Sequence, residues 1–410
     1  MKIVFINTKD NSGGAGIAAW RIAKGLKEYC NTKNYFIVGQ KTSNAKNVLP
    51  VKSSKLITFI ERIINKLTNI LGLQYFCIPF SSYTILKKIK EINPDIIHIH
   101  NTHGGYFNLD LLPKLEKLAP IIWTFHDMWP FTSNASYTFE DNSWKELKCG
   151  INEKNLYPKV GLTWGNLLIK RKQKIYKKTN FTITTPSLWL KKEAEQSPTL
   201  EEKFIKHIFN GLDLTVYKPL NQIECRKELS IPDNAFVLMF AAEFLSNKRK
   251  GADLFWDILI SVQSKLKQPL HLIALGHGHL PQVKNLNIYN LGHIDDQKKL
   301  VKTINAADLF LYPTKADNLP NSLVESIACG TPCITFDIGG CNEIIKNNNC
   351  GFVVPAFDIE LFANKVVYLF KNKARLNELS NLSRIYAEKH FDIKNITKQY
   401  YELCKKSLDI

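Results

Sequence analysis

The residues best suited to chemistry lie in the stretch Tyr312-Pro313-Thr314-Lys315-Ala316-Asp317-Asn318-Leu319-Pro320-Asn321-Ser322-Leu323-Val324-Glu325. A strand ends near Leu311, a turn-rich loop follows, and a helix begins near Ser322. The first amides of a helix lack internal partners and carry the positive end of its dipole, an arrangement that binds a diphosphate. Glu325, in the first turn, faces the same opening, where its carboxylate can accept two hydrogen bonds from a ribose diol. Asp317 stands eight residues earlier, at the lip of the loop, within reach of a sugar hydroxyl. The same spacing also fits a capping box from Ser322 to Glu325, in which Glu325 serves only its own helix, and spacing alone favours that simpler reading.

Three further stretches have the right chemistry. Ser246-Asn247-Lys248-Arg249-Lys250-Gly251 places three cations after a strand and before a helix. There Lys250 would act on phosphate as a point charge and Arg249 as a fork. Asn11-Ser12-Gly13-Gly14-Ala15-Gly16 joins the first strand to the first helix, and its glycines permit close backbone approach to a ligand. Trp123-Thr124-Phe125-His126-Asp127 puts a histidine at a strand end, with Asp127 in place to orient its ring. The chain contains no Asp-x-Asp pair, no His-Glu-x-x-His, no Gly-x-Ser-x-Gly and no P-loop, so metal catalysis and acyl chemistry are disfavoured and no metal is expected.

The elements that must carry these residues alternate throughout. Ile3–Ile6, Asn34–Val38, Asp95–His100, Ile121–Phe125, Phe181–Thr184, Phe236–Ala241, His271–Leu275, Ile288–Tyr289, Leu309–Leu311, Cys333–Phe336 and Phe352–Val353 read as strands, with helices between them. Strands alternating with helices imply parallel sheets covered on both faces, whose ligands bind beyond the carboxyl ends of the strands. The pattern runs twice, with a break near Asn210–Pro219. The expected organisation is α/β, two tandem Rossmann-like doubly wound domains with a cleft between them. Residues 1–212 form the first, residues 213–390 the second, and residues 391–410 a closing helix with no strand after it. Leu56, Ile57, Ile60, Ile63, Ile64, Leu67, Ile70 and Leu71 recur at helical steps. This amphipathic helix reads first as one packed on the first sheet, and alternatively as one lying in a membrane interface.

With 410 residues, 45% hydrophobic and 22% charged, the chain has the composition of a globular protein of two or three domains. The net charge of +18 is uneven. Residues 1–212 carry 31 basic and 16 acidic side chains, a net +15, whereas residues 213–410 carry 24 and 21, a net +3. The densest run is Lys170, Arg171, Lys172, Lys174, Lys177 and Lys178. Such an excess describes partners, here either bulk solvent or an anionic surface or acceptor. Nine scattered cysteines without a Cys-x-x-Cys pair, and no apolar segment of spanning length, read as reduced thiols in a cytoplasmic protein.

Together these stretches resemble the retaining glycosyltransferases of family 4, which have the two-Rossmann GT-B fold. The resemblance rests on Asp317 through Pro332, on Phe336-Asp337-Ile338-Gly339-Gly340-Cys341-Asn342-Glu343-Ile344-Ile345, and on Phe209-Asn210-Gly211-Leu212-Asp213 at the domain junction. Trp123 to Thr132 and Thr185-Pro186-Ser187-x-Trp189-Leu190 are similar to a subgroup that assembles surface polysaccharides. The resemblance implies that Lys250 holds a donor diphosphate with Arg249 assisting and that Glu325 binds the ribose. It implies that Asp317 and the segment Asn318, Leu319, Pro320, Asn321 and Ser322 hold the donor sugar, which His126 touches from the first domain. Gly13 and Gly14 would approach the diphosphate and acceptor, and Gly292, His293 and Ile294 would lie beside the base. Asp317 stands where the family usually has Glu, and Glu243 and Phe244 lie where many relatives carry an Arg. The implied activity is metal-independent retaining transfer of a hexose-type sugar from a nucleotide-diphosphate sugar, a co-substrate rather than a cofactor. The acceptor would be a growing surface glycan, lipid-linked at the inner face of the plasma membrane, with the basic first half toward the anionic surface. The competing readings are a relative with other chemistry, such as a sugar-nucleotide epimerase or phosphorylase, and a non-catalytic binder of an anionic polymer. A nucleic-acid binder needs aromatics interleaved with its cations, and the Lys170–Lys178 run offers mainly Tyr176, so no nucleic acid is expected.

Overall fold

A computed structural model of the chain describes residues 1–51, 54–162, 164–266, 268–278, 280, 283–346 and 349–409. Two compact units emerge, one of Met1–Gly211 with Ile393–Ile410, the other of Leu212–Asp392. In the first, the order is β1 (Lys2–Lys9), α1 (Gly13–Cys30), β2 (Lys33–Gln40), β3 (Val48–Pro50), α2 (Lys55–Ile70), α3 (Pro79–Ile92), β4 (Ile96–Ile99), α4 (Leu112–Glu116), β5 (Ile121–Thr124), α5 (Gly165–Lys177), β6 (Thr182–Thr185), α6 (Leu188–Glu195) and β7 (Ile205–His207). The second runs α7 (Gln222–Glu228), β8 (Val237–Phe244), α8 (Ala252–Lys265), β9 (Leu270–His277), β10 (Leu286–Gly292), α9 (Gln297–Ala306), β11 (Leu309–Tyr312), α10 (Asn321–Ala328), β12 (Cys333–Phe336), α11 (Cys341–Ile345), β13 (Gly351–Val354), α12 (Ile359–Lys371) and α13 (Lys373–His390). The closing helix α14 (Ile393–Ser407) belongs to the first unit.

Each unit is a doubly wound parallel sheet, as the alternation predicts. The first sheet has the order β3-β2-β1-β4-β5-β6-β7 and the second β10-β9-β8-β11-β12-β13. Every described strand pairing is parallel. The strands are short and β-branched because both faces are covered: β4 and β5 are buried at every position. The strand order reverses between β1 and β4 in one sheet and between β8 and β11 in the other, which opens a crevice at those carboxyl ends.

α14 completes the core of the first unit. Ile396, Tyr400, Leu403 and Cys404 are buried with Ile3, Phe5, Ile22 and Ile96. α1 approaches closely through Gly25, where an added Cβ would stand 2.3 Å from Thr397 Oγ1.

Two segments depart from expectation. α2 does not bury its apolar stripe. It docks through polar groups instead, while Leu56, Phe59, Ile60, Ile63, Leu67 and Ile70 face outward. Glu61 is fully buried and accepts from the amide of Ser81 at 2.8 Å, and Asn65 Nδ2 donates to Gly105 O at 3.0 Å. The basic run is not a uniformly solvated face either. Lys172 is buried, and its ammonium lies 3.8 Å from the Trp129 ring centre and donates to Thr132 O at 3.0 Å. With Tyr176 OH donating to Pro130 O at 2.8 Å, it fixes the Trp129–Thr132 loop from behind. Burial pushes the Lys172 pKa down to about 7.

Candidate functional site

In the second unit the two expected loops meet at the switch point, after β8 and after β11. Residues 248–250 make a short turn that ends on Gly251 at φ +77°, a left-handed conformation suited to glycine. An added Cβ there would stand 1.7 Å from Pro313 O, so the β8 loop lies directly on the β11 loop. Backbone contacts lock the pair: Lys315 N donates to Arg249 O at 2.8 Å and Thr314 Oγ1 to the same oxygen at 3.1 Å.

That packing gathers Lys250, Arg249, Asp317 and Tyr312. Asp317 Oδ2 receives the Lys250 ammonium, the Tyr312 hydroxyl at 2.6 Å and the Arg249 guanidinium at 3.6 Å. Its Oδ1 accepts the Asn318 amide at 3.0 Å. Lys250 Nζ also lies 2.6 Å from Tyr312 OH, and Arg249 Nη1 donates to Ala316 O at 2.6 Å. Burial raises the carboxyl pKa of Asp317, but Lys250 and then Arg249 outweigh it and hold the group below its usual range. Asp317 is therefore an ionised, buried carboxylate that sets two cations at the mouth of the loop. A tyrosine at a strand end has no motif to mark it as a site residue, and the cross-loop bridge of Tyr312 appears only in three dimensions.

α10 begins at Asn321, with Pro320 as N-cap (φ −68°, ψ 119°) and no capping side chain. The predicted capping box is thus absent: Ser322 already lies inside the helix, and Glu325 is its fifth residue rather than part of the first turn. Proline sets φ and starts the helix one residue early. Asn318, Leu319 and Glu325 are buried beside this helix start.

Of the predicted base-side residues, Gly292 ends β10 at the edge of the same sheet, and His293 and Ile294 follow it. Gly292 takes φ +65° and has open space where a Cβ would go. The ring of His293 stacks on His277 at 5.2 Å, and His277 lies 5.7 Å from Phe244. The carboxyl ends of β8, β9 and β10 therefore carry a row of three rings. Phe244 and His277 had no motif to announce them.

Gly13, Gly14 and His126 belong to the first unit. Gly13, at φ +70°, and Gly14 open α1, and no atom lies within 4 Å of where either Cβ would sit. His126 follows β5, and its Nε2 lies 2.8 Å from His100 Nδ1. Asp127 bonds His103 Nε2 at 2.9 Å and accepts the Trp129 amide at 3.0 Å. His100, just past β4, stacks on His126 with ring centres 5.1 Å apart and lies tilted against His98 at 4.3 Å. Burial pushes His126 down to about 4 and His98 to about 3, and holds His100 well below its usual value. The trio is neutral at physiological pH.

The chain matches a family model described as Glycosyltransferase Family 4 over residues 12–216, and one described as Glycosyl transferases group 1 over residues 235–372. It is 25% identical over 206 residues to N-acetyl-alpha-D-glucosaminyl L-malate synthase of Bacillus anthracis, a match covering 48% of this chain and 52% of that one, about half the relative's length. It is 23% identical over 323 residues to UDP-Gal:alpha-D-GlcNAc-diphosphoundecaprenol alpha-1,3-galactosyltransferase of Escherichia coli, covering 74% and 72%. Among solved structures, sucrose-phosphate synthase of Thermosynechococcus elongatus superposes with a TM-score of 0.72 at 14% identity, over 99% of this chain and 98% of that one, a likeness of fold.

Proposed function

The chain belongs to glycosyltransferase family 4 and has the GT-B architecture, and from that premise we propose that it transfers a hexose-type sugar from a nucleotide-diphosphate donor to a hydroxyl of a growing surface glycan. The proposal includes retention at the anomeric carbon, independence of metal and a lipid-linked acceptor. The observation that carries it is the convergence of Lys250 and Arg249 on Asp317 beside the start of α10.

As the glycosidic bond breaks, negative charge builds on the departing diphosphate. Two cations and the first amides of α10, already in place, stabilise that charge without reorganising. Asp317 positions the cations, Glu325 takes the ribose diol, and the ring row Phe244, His277 and His293 flanks the base. The segment Asn318–Ser322 contacts the donor sugar. His126, kept neutral by burial, supplies a hydrogen bond to a sugar hydroxyl without adding charge. The acceptor attacks the face from which the diphosphate leaves, and a phosphate oxygen takes the acceptor proton. The lipid-linked acceptor is supported by the substrate that the Escherichia coli relative is named for, a diphosphoundecaprenol-linked sugar.

The test is incubation of the full chain with a panel of nucleotide-diphosphate sugars, with and without a polyprenyl-diphosphate-linked sugar acceptor. Acceptor-dependent release of nucleoside diphosphate, with a product of the donor's anomeric configuration by NMR, supports the proposal. Conversion of the donor alone into an epimer, or phosphate-dependent cleavage of the glycan to a sugar 1-phosphate with no nucleoside diphosphate released, would replace it with the epimerase or phosphorylase reading.

A further inference from the structure

We propose that the outward face of α2 is a docking surface for an anionic lipid bilayer. The helix is inverted relative to an ordinary surface helix, whose polar side faces water. Its inward contacts are polar: Glu61 with Ser81, Asn65 with Gly105, and Asn69 Nδ2 with Lys159 O at 2.9 Å. Its outward stripe is Leu56, Phe59, Ile60, Ile63, Leu67 and Ile70, between 38% and 69% exposed. The apolar surface continues past the end of the helix. Leu162 N donates to Ile70 O at 3.0 Å, which brings exposed Leu162 and Trp164 alongside, and Phe80 and Tyr83 stand exposed on the first turns of α3. An exposed apolar stripe along a whole helix face marks an interaction site.

Charge identifies the occupant. On a helical period of roughly 3.6 residues, exposed Lys55, Arg62 and Lys66 fall along one edge of the stripe. The only acid on α2, Glu61, is turned inward and fully buried. A second copy of this chain seated symmetrically on the face would bring the same cations together, and residues 1–212 carry a net +15 that repels such a copy. An apolar face edged by cations, with tryptophan and tyrosine at its margins, matches the acyl–headgroup boundary of a leaflet rich in anionic lipid. Such docking would bring the first unit to the surface where a lipid-linked acceptor is presented. It stands apart from the transfer reading, because vesicle binding and sugar transfer are measured separately.

The experiment is co-sedimentation of the full chain with vesicles of phosphatidylcholine alone and of phosphatidylcholine with phosphatidylglycerol, at low and high salt. Binding to the anionic vesicles that weakens with salt is expected. Leu67→Asp should lower the partition coefficient at least tenfold with an unchanged melting temperature, since the side chain points outward, and Arg62→Glu with Lys66→Glu should abolish the preference for anionic lipid. No sedimentation with anionic vesicles at low salt would overturn the proposal. So would binding undiminished in Leu67→Asp, or a dimer in solution that Leu67→Asp splits, which would assign the face to a second copy.

Discussion

Lys250→Ala is the most informative single change. The ammonium it removes sits 2.6 Å from Tyr312 OH and bonds Asp317 Oδ2, at the mouth of the loop that precedes α10. A hydrogen bond to a charged partner contributes about 1.5–3 kcal/mol, and each 1.36 kcal/mol is about tenfold in rate. Loss of the cation from the leaving diphosphate should therefore lower kcat/KM for the nucleotide sugar by about tenfold to about 150-fold. The folded state should suffer less. Arg249 remains 3.6 Å from Asp317, so the buried carboxylate is not left without a counter-charge. A stability loss of about 1 kcal/mol, a fall of roughly 2–4 °C in melting temperature, is expected. Lys250→Arg, which keeps the charge but not its point geometry, should recover part of the rate. The assay is continuous detection of released nucleoside diphosphate, with differential scanning fluorimetry on the same samples. A folded Lys250→Ala enzyme whose kcat/KM lies within threefold of the parent would refute the reasoning, because the cation would then not face the diphosphate.

Gly251→Ala must move its own loop, since the new Cβ would meet Pro313 O at 1.7 Å in a left-handed backbone; a stability loss of roughly 2 kcal/mol or more by urea titration is expected, with donor affinity falling in step. The buried histidines make the protein acid-sensitive. Their folded pKa values, about 3 for His98 and about 4 for His126, lie below the ordinary 6.5, so the unfolded chain binds more protons. The stability they contribute is present above pH 6.5 and is lost as pH falls from there toward 4, about 2 kcal/mol per such histidine between pH 7 and 5, readable from urea midpoints at the two pH values. A His126 ring that titrates near 6.5 by NMR would contradict this. Removing residues 393–410 strips Ile396, Tyr400 and Leu403 from the first unit's core. At about 1.5–3 kcal/mol per side chain the loss approaches the whole stability of a domain, so the truncated chain should be digested rapidly by dilute protease at the first unit.

The parts of this structure visible in the sequence are those governed by local pattern. Alternating strands such as Ile96–Ile99 and Leu309–Tyr312, with helices between, announce two parallel sheets because both-face burial demands continuous apolar runs. The loops at 248–251 and 312–325 were legible because cations and turn residues flank strand ends. Orientation was not. The spacing of Leu56 to Ile70 marks an apolar stripe but says nothing about which way it faces; that was decided by Glu61 and Asn65 finding polar partners at Ser81 and Gly105. Non-local pairing was equally hidden. Asp127 sits beside His126 in sequence yet bonds His103, while His126 reaches back to His100, because strand-end geometry places residues from β4 and β5 side by side. The capping box failed for a local reason: Pro320 fixes its own φ and begins the helix before Ser322.

The central claim, that the loop at the start of α10 grips a pyrophosphoryl group with Lys250 and Arg249, is tested most directly by calorimetric titration with nucleoside diphosphates in the absence of acceptor. Saturable binding of at least one of them is predicted, weakened tenfold or more in Lys250→Ala and, through the ribose, in Glu325→Gln, with folding intact. No binding by any nucleoside diphosphate, or equal affinity in the parent and both variants, would contradict it.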